Sequence, residues 1–173
     1  GAGYVGSHVA LAALDNGHKV TIFDNLSTGH KKNINDKAKF FLGSTTSLSD
    51  LHNLFKKESF DAVIHLSASK SATESMESPL KYAENNVIGS LNLIKSCIKY
   101  EVGIFIFSSS AAVYGKPKYN PIDETHPLSP SNYYGFTKLS IEKNLEWFSA
   151  LDKIKYASLR YFNADNHNCD LLY

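Results

Sequence analysis

Tyr134 and Lys138 are the two side chains of this sequence that are best arranged for acid–base chemistry. They lie four residues apart in the segment "YYGFTK", so a helix would place them on the same face. A lysine ammonium group near a phenol lowers the pKa of the phenol from about 10 towards neutrality, which makes the tyrosine a usable general base. Tyr114 and Lys118 have the same spacing, but they enclose Pro117, which disfavours a helix. The sequence therefore predicts one acid–base pair, Tyr134 and Lys138.

Three consecutive serines form a second candidate group. They end the segment "VGIFIFSSS", which is typical of a buried strand that stops at Ser108–Ser110. Because ligands of open α/β sheets bind beyond the carboxyl ends of the strands, the three hydroxyls of Ser108–Ser110 are expected to be able to hydrogen-bond a substrate oxygen. A turn that only ends the strand is the alternative interpretation.

Gly1, Gly3 and Gly6 form the pattern G-x-G-x-x-G. Its glycines permit a tight turn, the close approach of a pyrophosphate and close packing of a following helix, whose N-terminal amides attract phosphate. Asp24 ends the segment "KVTIFD", eighteen residues after Gly6, where a carboxylate can bind the ribose hydroxyls of adenosine and repel a 2′-phosphate. The pattern predicts NAD rather than NADP as cofactor. A turn cap in "FDNLSTG" is the alternative interpretation of Asp24.

Apolar segments typical of buried strands alternate with segments of helical periodicity. Strands are predicted at "KVTIFD", "AKFFLG", "DAVIHLS", "VGIFIFSSS" and "KYASLRYF". Helices are predicted after the glycine turn, at 51–55, over 78–100 and over 132–151, and the prolines of 115–131 predict a loop. This order indicates an α/β fold with a doubly wound, mostly parallel sheet of the Rossmann type. In that pattern a strand precedes the glycine turn, and we expect it to be missing from this chain.

The helical region 78–100 carries apolar residues at helical spacing. Val87, Leu91, Ile94 and Ile98 are predicted to form one buried stripe. The segment 78–100 is therefore predicted to be a long helical region.

The composition predicts a single domain, residues 1–173, because 173 residues with 43% hydrophobic content can bury a core of ordinary size. Lysine and arginine total 18 against 17 aspartates and glutamates, and the cations are scattered. Neither a nucleic-acid groove nor a membrane surface is predicted.

Cys97 and Cys169 are far apart, which predicts free thiols and a cytoplasmic location. His167 and Cys169 have no further ligands at metal-site spacing, so no metal site is predicted.

Six segments taken together resemble the extended short-chain dehydrogenase/reductase family. They are "GAGYVGSH", "FDNLSTG", "NNVIGSLNLI", "FSSSAAVYG", "YYGFTKL" and "LRYFN", and the resemblance runs from Gly1 to about Asn163. It implies a domain that binds NAD and, in the branch it resembles most, 4-epimerisation of a UDP-hexose through a 4-keto intermediate. Tyr134 would take the proton of the sugar 4-hydroxyl, Ser110 would hydrogen-bond the sugar oxygen, and Lys138 would hold the nicotinamide ribose and tune Tyr134.

The resemblance also implies further contacts and a partner. The residues concerned are Tyr4 and Val5 at the pyrophosphate, Asp24 and Asn25 at the adenosine, Lys70 and Asn85 along the cofactor, Phe162 beside the nicotinamide, and Asn163 at the nucleotide sugar. A homodimer of the full-length protein is implied, formed by the helix that contains Tyr134 and the helix that begins near Ser78.

Several alternatives remain open beside the epimerase interpretation. Dehydratases of the family carry an acid–base pair where this chain has Ala111 and Ala112, which disfavours dehydration. Decarboxylating relatives are not excluded. Ser44 and Ala68 depart from the family pattern, and a first strand and a C-terminal substrate lobe are expected to be missing, while the tail 164–173 is atypical. The chain is therefore expected to be a fragment of an epimerase, or else a degenerate, non-catalytic relative that binds a dinucleotide weakly or not at all.

Overall fold

The computed structural model describes residues 1–163, which form two compact units. The first comprises Gly1–Ser44 together with Asn163, and the second comprises Thr45–Phe162. Each unit contains one parallel sheet. The predicted alternation of strands and helices is confirmed in the described part of the chain.

Two predictions concern residues beyond this description. His167 and Cys169, with the rest of the atypical tail 164–173, lie outside the described residues. Among residues 1–163, no three His, Cys, Asp or Glu side chains are grouped so that they could hold a metal ion. Within the same range, no helix combines the length and the apolar character that crossing a membrane requires.

The first unit contains one helix and a two-stranded parallel sheet. Its elements are α1 (Tyr4–Asp15), β1 (Thr21–Asp24), a 3₁₀ turn (Lys31–Asn33) and β2 (Lys39–Leu42). In the sheet, Thr21 lies opposite Lys39 and Asp24 lies opposite Leu42. Asp24 is therefore the last residue of its strand, as the sequence predicted.

The second unit contains a three-stranded parallel sheet in the order β3–β4–β5. Its strands are β3 (Ala62–His65), β4 (Ile104–Ser108) and β5 (Lys155–Leu159). Its helices are α2 (Leu48–Lys57), α3 (Ala72–Glu77), α4 (Pro79–Tyr82), a π-helical segment (Ala83–Ile88), α5 (Gly89–Lys99) and α6 (Tyr133–Ala150), and a 3₁₀ turn (Ala111–Val113) follows β4. The 115–131 segment is a loop, as its prolines predicted.

The core of the second unit lies on one face of its sheet. Side chains of a strand alternate between faces, and β4 shows this clearly, because Phe105 is fully buried whereas its neighbour Ile104 is 47% exposed. The helices contribute Ile94 from α5 and Ile141 and Leu145 from α6 to the buried set. The face of the sheet that these helices cover therefore holds the aromatic side chains of β4.

The helical region 78–100 differs from its prediction. It is divided into α4, a π-helical segment and α5, and Val87, Leu91 and Ile98 of the predicted stripe are only partly buried. A π-helical turn contains more residues than an α-helical turn, so it rotates the residues that follow it about the helix axis. The residues of this region that are buried most fully are Tyr82, Asn86, Gly89, Ser90, Leu93, Ile94, Ser96 and Cys97.

Candidate functional site

Helix α6 places Tyr134 and Lys138 on one face, as their spacing predicted. The helix begins at Tyr133, and the side chain of Asn132 caps it by accepting a hydrogen bond from the Gly135 amide at 2.8 Å. Tyr134 thus lies in the first turn and Lys138 one turn later. Since α6 is continuous through both positions, the two side chains point to the same side.

Gly135 allows the start of α6 to approach the segment that follows β4. A Cβ atom at this position would lie 2.5 Å from the carbonyl oxygen of Ala112, which is closer than any side chain tolerates. Ala112 belongs to the 3₁₀ turn directly after Ser110. The close approach brings Tyr134 next to Ser110, whose hydroxyl acts to lower the pKa of the phenol. The structure therefore joins two of the predicted catalytic residues.

The pKa of Tyr134 differs in direction from the prediction. Burial raises it above the ordinary value, and the hydrogen bond with Ser110 opposes this by lowering it. The Lys138 ammonium is not what shifts this pKa: its Nζ lies 5.9 Å from the centre of the Tyr134 ring and donates to the Ser108 carbonyl at 2.7 Å. Helical spacing predicts a shared face, whereas the position of the charge relative to the hydroxyl depends on packing.

Lys138 is a buried cation. Only 4% of it is exposed, and its Nζ lies 4.9 Å from the centre of the Phe107 ring. Burial lowers its pKa to about 8, and the carboxylate of Glu142 opposes the change. His65 of β3 is the neighbouring buried histidine, and burial together with the charge of Lys138 lowers its pKa to about 3. Lys138 is therefore the cation of this cluster at pH 7, and His65 is neutral.

The glycine turn combines close packing with open space. A Cβ at Gly6 would lie 2.8 Å from the Cα of Gly1, and a Cβ at Gly1 would lie 2.4 Å from Cγ2 of Ile22, so both positions require glycine. Gly3 precedes α1, and a Cβ there would have no neighbour within 4 Å. The space over Gly3 lies at the N-terminus of a twelve-residue helix, whose first amides have no partners within the helix. These residues fit the pyrophosphate of a dinucleotide.

Asp24 makes the contact that the alternative interpretation expected. Its Oδ1 accepts a hydrogen bond from the Leu26 amide at 2.8 Å and thereby caps the turn. Its Oδ2 accepts from the Gly1 amino group at 2.8 Å and the Ala2 amide at 2.9 Å. Burial acts to raise the pKa of Asp24, but these hydrogen bonds outweigh it and the pKa is lowered. The carboxylate is therefore ionised, and its contact with a ribose stays a prediction.

Two adjacent asparagines of the π-helical segment hold the chain just before Lys70. The side chain of Asn86 makes two hydrogen bonds with the backbone of Ser69. It accepts from the Ser69 amide at 2.8 Å and donates to the Ser69 carbonyl at 2.9 Å. Asn85 donates to the Ser69 hydroxyl at 3.0 Å. Asn86 also donates to Thr137 of α6 at 3.2 Å. The sequence analysis missed Asn86, although an Asn-Asn pair inside a helical region was a signal for it.

The remaining predicted contact residues are partly or largely exposed. Tyr4 is 46% and Phe162 is 65% exposed, while Asn25, Lys70 and Asn163 are also on the surface and Val5 is half-buried. Tyr4 and Val5 form the first turn of α1 beside the open space over Gly3. Their roles stay predictions. The structure thus brings Ser110, Tyr134 and Lys138 together in the second unit, and the glycine turn and Asp24 together in the first.

Glu142, which is buried, and Arg160, which is half-buried, are charged residues that the sequence analysis did not single out. They form an ion pair in which the shortest N–O distance is 2.7 Å. Glu142 lies four residues after Lys138, so it continues the spacing that joins Tyr134 to Lys138. Arg160 is the sole arginine of the sequence. The spacing of Glu142 and the single arginine are visible in the sequence, but the ion pair between them and the burial of Glu142 are not.

Comparison with known proteins identifies the same group of enzymes throughout. Residues 1–164 match the NAD dependent epimerase/dehydratase family. A UDP-glucose 4-epimerase of Lactobacillus helveticus is 42% identical over 170 residues, which are 98% of this chain and 52% of that protein. The crystal structure of a UDP-glucose 4-epimerase from Brucella ovis in complex with NAD has a TM-score of 0.90 and 39% identity, over 94% of this chain and 50% of that one.

A further solved structure contains a nucleotide sugar. It is the UDP-glucose 4-epimerase of Thermotoga maritima with UDP-glucose, with a TM-score of 0.89 and 39% identity, over 93% of this chain and 53% of that one. The chain spans about half the length of the curated relatives it matches. The agreement in structure confirms the predicted fold class.

Proposed function

The chain belongs to the NAD dependent epimerase/dehydratase family, and on this premise we propose that the protein binds NAD and epimerises a UDP-hexose at C4, interconverting UDP-glucose and UDP-galactose. The observation that carries the proposal is the cluster of Ser110, Tyr134 and Lys138 at the carboxyl end of β4. The printed names of the relatives support the substrate, and the solved complexes with NAD and with UDP-glucose support the ligands.

Each residue of the cluster has a separate role in the proposed reaction. The phenol oxygen of Tyr134 takes the proton of the sugar 4-hydroxyl when the 4-keto sugar forms. It returns the proton when the keto sugar is reduced again. Ser110 hydrogen-bonds both the phenol and the sugar oxygen and keeps them aligned. The chemistry that bound NAD would supply is hydride transfer, from C4 of the sugar and back to the opposite face of C4. Lys138, which is charged below pH 8 and lies on the same face of α6 as Tyr134, is assigned to the nicotinamide ribose.

The cofactor would be held by residues of both predicted motifs. Gly3 leaves room for the pyrophosphate at the N-terminus of α1, next to Tyr4 and Val5. The other proposed contacts are Gly1, Gly6, Asp24, Asn25, Lys70, Asn85, Tyr134, Lys138 and Phe162 for NAD, and Ser110, Tyr134 and Asn163 for the UDP-sugar. The ionised Asp24 would repel a 2′-phosphate, which favours NAD over NADP. No metal site is part of the proposal.

The proposed full-length enzyme is a cytoplasmic homodimer. Phe136 and Trp147 of α6 are 50% and 69% exposed, and they lie about three turns apart on one side of the helix. Leu80 and Ile88 of the 78–100 region are 83% and 50% exposed. Large exposed apolar side chains on neighbouring helices are typical of a protein interface. A second copy of the same chain is the proposed occupant, and no nucleic-acid or membrane partner is proposed.

The test combines a binding measurement with a turnover measurement. Thermal unfolding is recorded with and without saturating NAD, and the conversion of UDP-galactose to UDP-glucose is followed by NMR of the anomeric protons. A rise of several degrees in Tm together with conversion supports the proposal. NAD binding without conversion favours the non-catalytic dinucleotide-binding relative, and release of carbon dioxide from a UDP-hexuronic acid favours a decarboxylase. Failure to bind NAD contradicts the cofactor assignment.

A further inference from the structure

Each of the three serines at the end of β4 is held by a different residue of α6. In the segment Ser108–Ser110, the carbonyl of Ser108 accepts a hydrogen bond from Lys138 at 2.7 Å. The hydroxyl of Ser109 donates to the carboxylate of Glu142. The hydroxyl of Ser110 lies next to the phenol of Tyr134 and acts to lower its pKa. Since Tyr134, Lys138 and Glu142 follow one another at intervals of four residues, they lie along one face of the helix. Glu142 is thus the third member of the face that carries the acid–base pair.

Glu142 is in turn oriented by Arg160, which follows β5. The guanidinium Nε lies 3.1 Å from Oε1 and 3.2 Å from Oε2 of the carboxylate, and Nη2 lies 2.7 Å from Oε2. The Arg160 side chain is itself fixed, because Nη1 donates to the Tyr114 hydroxyl at 3.0 Å and the guanidinium lies over the Tyr114 ring at 5.0 Å. The Ser109 amide also donates to the Leu159 carbonyl at 2.8 Å. Glu142 therefore connects α6 with the ends of β4 and β5.

A buried ion pair of this kind is better suited to orientation than to stability. The side chains of Glu142 and Arg160 are only 7% and 20% exposed, and removing two charges from water costs about as much free energy as their attraction returns. A fork of several N–H donors does, however, hold a carboxylate in one plane and at one angle. With its orientation held in this way, the carboxylate presents Oε1 to the hydroxyl of Ser109.

We propose that Glu142 and Arg160 are positioning residues, which hold Ser109 so that the adjacent Ser110 hydroxyl stays next to the phenol of Tyr134. The proposal rests on the proposed function, because it assigns the Ser110–Tyr134 contact to the sugar chemistry. A small displacement of Ser110 would weaken the contact without removing either hydroxyl, and displacements near 1 Å cost roughly a hundredfold in rate.

The first experiment uses Ser109→Ala, which removes the contact with the serine segment and keeps the Glu142–Arg160 pair. The pKa of Tyr134 is measured by ¹³C NMR of the protein labelled at tyrosine Cζ, with Tyr134→Phe identifying the resonance. Displacement of Ser110 away from the phenol should raise this pKa further, because the hydroxyl of Ser110 acts to lower it. His65, with a pKa of about 3, stays neutral through the titration. UDP-galactose turnover should fall roughly tenfold or more in kcat, with a smaller change in KM.

A second variant and a matched control separate positioning from general destabilisation. Glu142→Gln should shift the pKa of Tyr134 in the same direction as Ser109→Ala. Glu146→Gln lies one turn further along α6, where Glu146 is exposed and pairs with Lys143 at 2.8 Å, so it should leave the pKa and the turnover unchanged. If Glu142→Gln does not fold, Ser109→Ala still decides the question.

The outcomes distinguish this proposal from the proposed function. A lower Tm in Ser109→Ala with an unchanged pKa of Tyr134 would show a purely structural role and overturn the proposal. Absence of turnover in the unmodified protein would contradict the proposed function, and the pKa of Tyr134 in the variants would still decide whether Glu142 and Arg160 position Ser110.

Discussion

Lys138 carries a positive charge inside the protein, and the arrangement costs stability. Its ammonium group donates a hydrogen bond to the Ser108 carbonyl and lies beside the aromatic ring of Phe107. A pKa of about 8, against 10.5 in water, means that the folded state binds the proton more weakly than the unfolded state.

Replacing Lys138 by methionine should therefore stabilise the fold and stop the reaction. The unfolded chain binds more protons between about pH 8 and 10.5, so the unfolding free energy rises with pH in that window and the penalty is complete below pH 8. We expect Lys138→Met to raise the unfolding free energy at pH 7 by about 1–3 kcal/mol and to flatten its pH dependence above pH 8. Urea unfolding at pH 7 and pH 9.5 measures both effects.

The matched control for this change is Lys143→Met on the same helix. Lys143 has a side chain that is 58% exposed, so its replacement should leave the unfolding free energy within about 0.5 kcal/mol of the original. A Lys138→Met protein less stable than the original at pH 7 would contradict the assignment of a penalty to the buried charge.

Tyr134 is predicted to be the general base, and removing its hydroxyl tests this directly. Tyr134→Phe keeps the ring but leaves no group to take the proton, so kcat for UDP-galactose should fall by about 10²–10⁴. NMR of the sugar nucleotides measures the rate. Tyr133→Phe removes a neighbouring hydroxyl on the same helix turn and should change kcat by less than about threefold. Equal rates in the Tyr134→Phe and unmodified proteins would exclude the assigned role.

The glycine turn and α1 separate two uses of glycine, packing and ligand access. Gly6→Ala places a Cβ 2.8 Å from the Gly1 backbone, whereas Gly3→Ala meets no atom within 4 Å and Gly3 has φ of −79°, which any residue adopts. We expect Gly6→Ala to lower the unfolding free energy by about 1–3 kcal/mol, and Gly3→Ala to change it by less than about 0.5 kcal/mol. Gly3→Ala should nevertheless weaken NAD binding at least tenfold, because its methyl group occupies the space proposed for the pyrophosphate.

Unfolding in urea and NAD titration by calorimetry check the two changes side by side. Unaltered NAD affinity in Gly3→Ala would show that the open space beside α1 is not the pyrophosphate site. Unaltered stability in Gly6→Ala would show that the turn can relax around the added methyl group.

In the entire chain, the apolar surface of α6 and of the 78–100 region predicts self-association. Trp147→Glu places a charge in the proposed interface, so it should convert a dimer into a monomer, as measured by analytical ultracentrifugation at micromolar concentration. Leu42→Glu is the control. Leu42 is 68% exposed and Trp147 is 69% exposed, but Leu42 belongs to β2 and lies outside the proposed interface. Dimers that persist in Trp147→Glu, or that are lost in Leu42→Glu, would place the interface elsewhere.

The prediction of one domain over residues 1–173 also concerns the entire chain. If it holds, calorimetric unfolding shows one transition, and Gly6→Ala, which strains only the first unit, lowers the Tm of that whole transition. Two transitions, of which only one responds to Gly6→Ala, would show that Gly1–Ser44 and Thr45–Phe162 unfold independently.

Most elements of the fold were predictable because their signals are local. Apolar runs such as "FIF" in β4 and the helical spacing around Ile141 reflect the geometry of the residues themselves, and so does the capping asparagine at the start of α6. The short helix α3 was not predicted, and the π-helical segment was missed because a search at 3.6 residues per turn assumes a regular helix.

The sequence by itself determined which chemistry this protein can carry: a glycine turn with an acid eighteen residues on, and a tyrosine and a lysine one helical turn apart. Only the tertiary structure decided how these groups are tuned. The raised pKa of Tyr134, the low pKa of Lys138 and the contact between Ser109 and Glu142, which are 33 positions apart, all depend on burial by distant segments. Local sequence sets the geometry of a turn or a helix, whereas the dielectric environment and the partners of a side chain are set by whatever the fold packs against it.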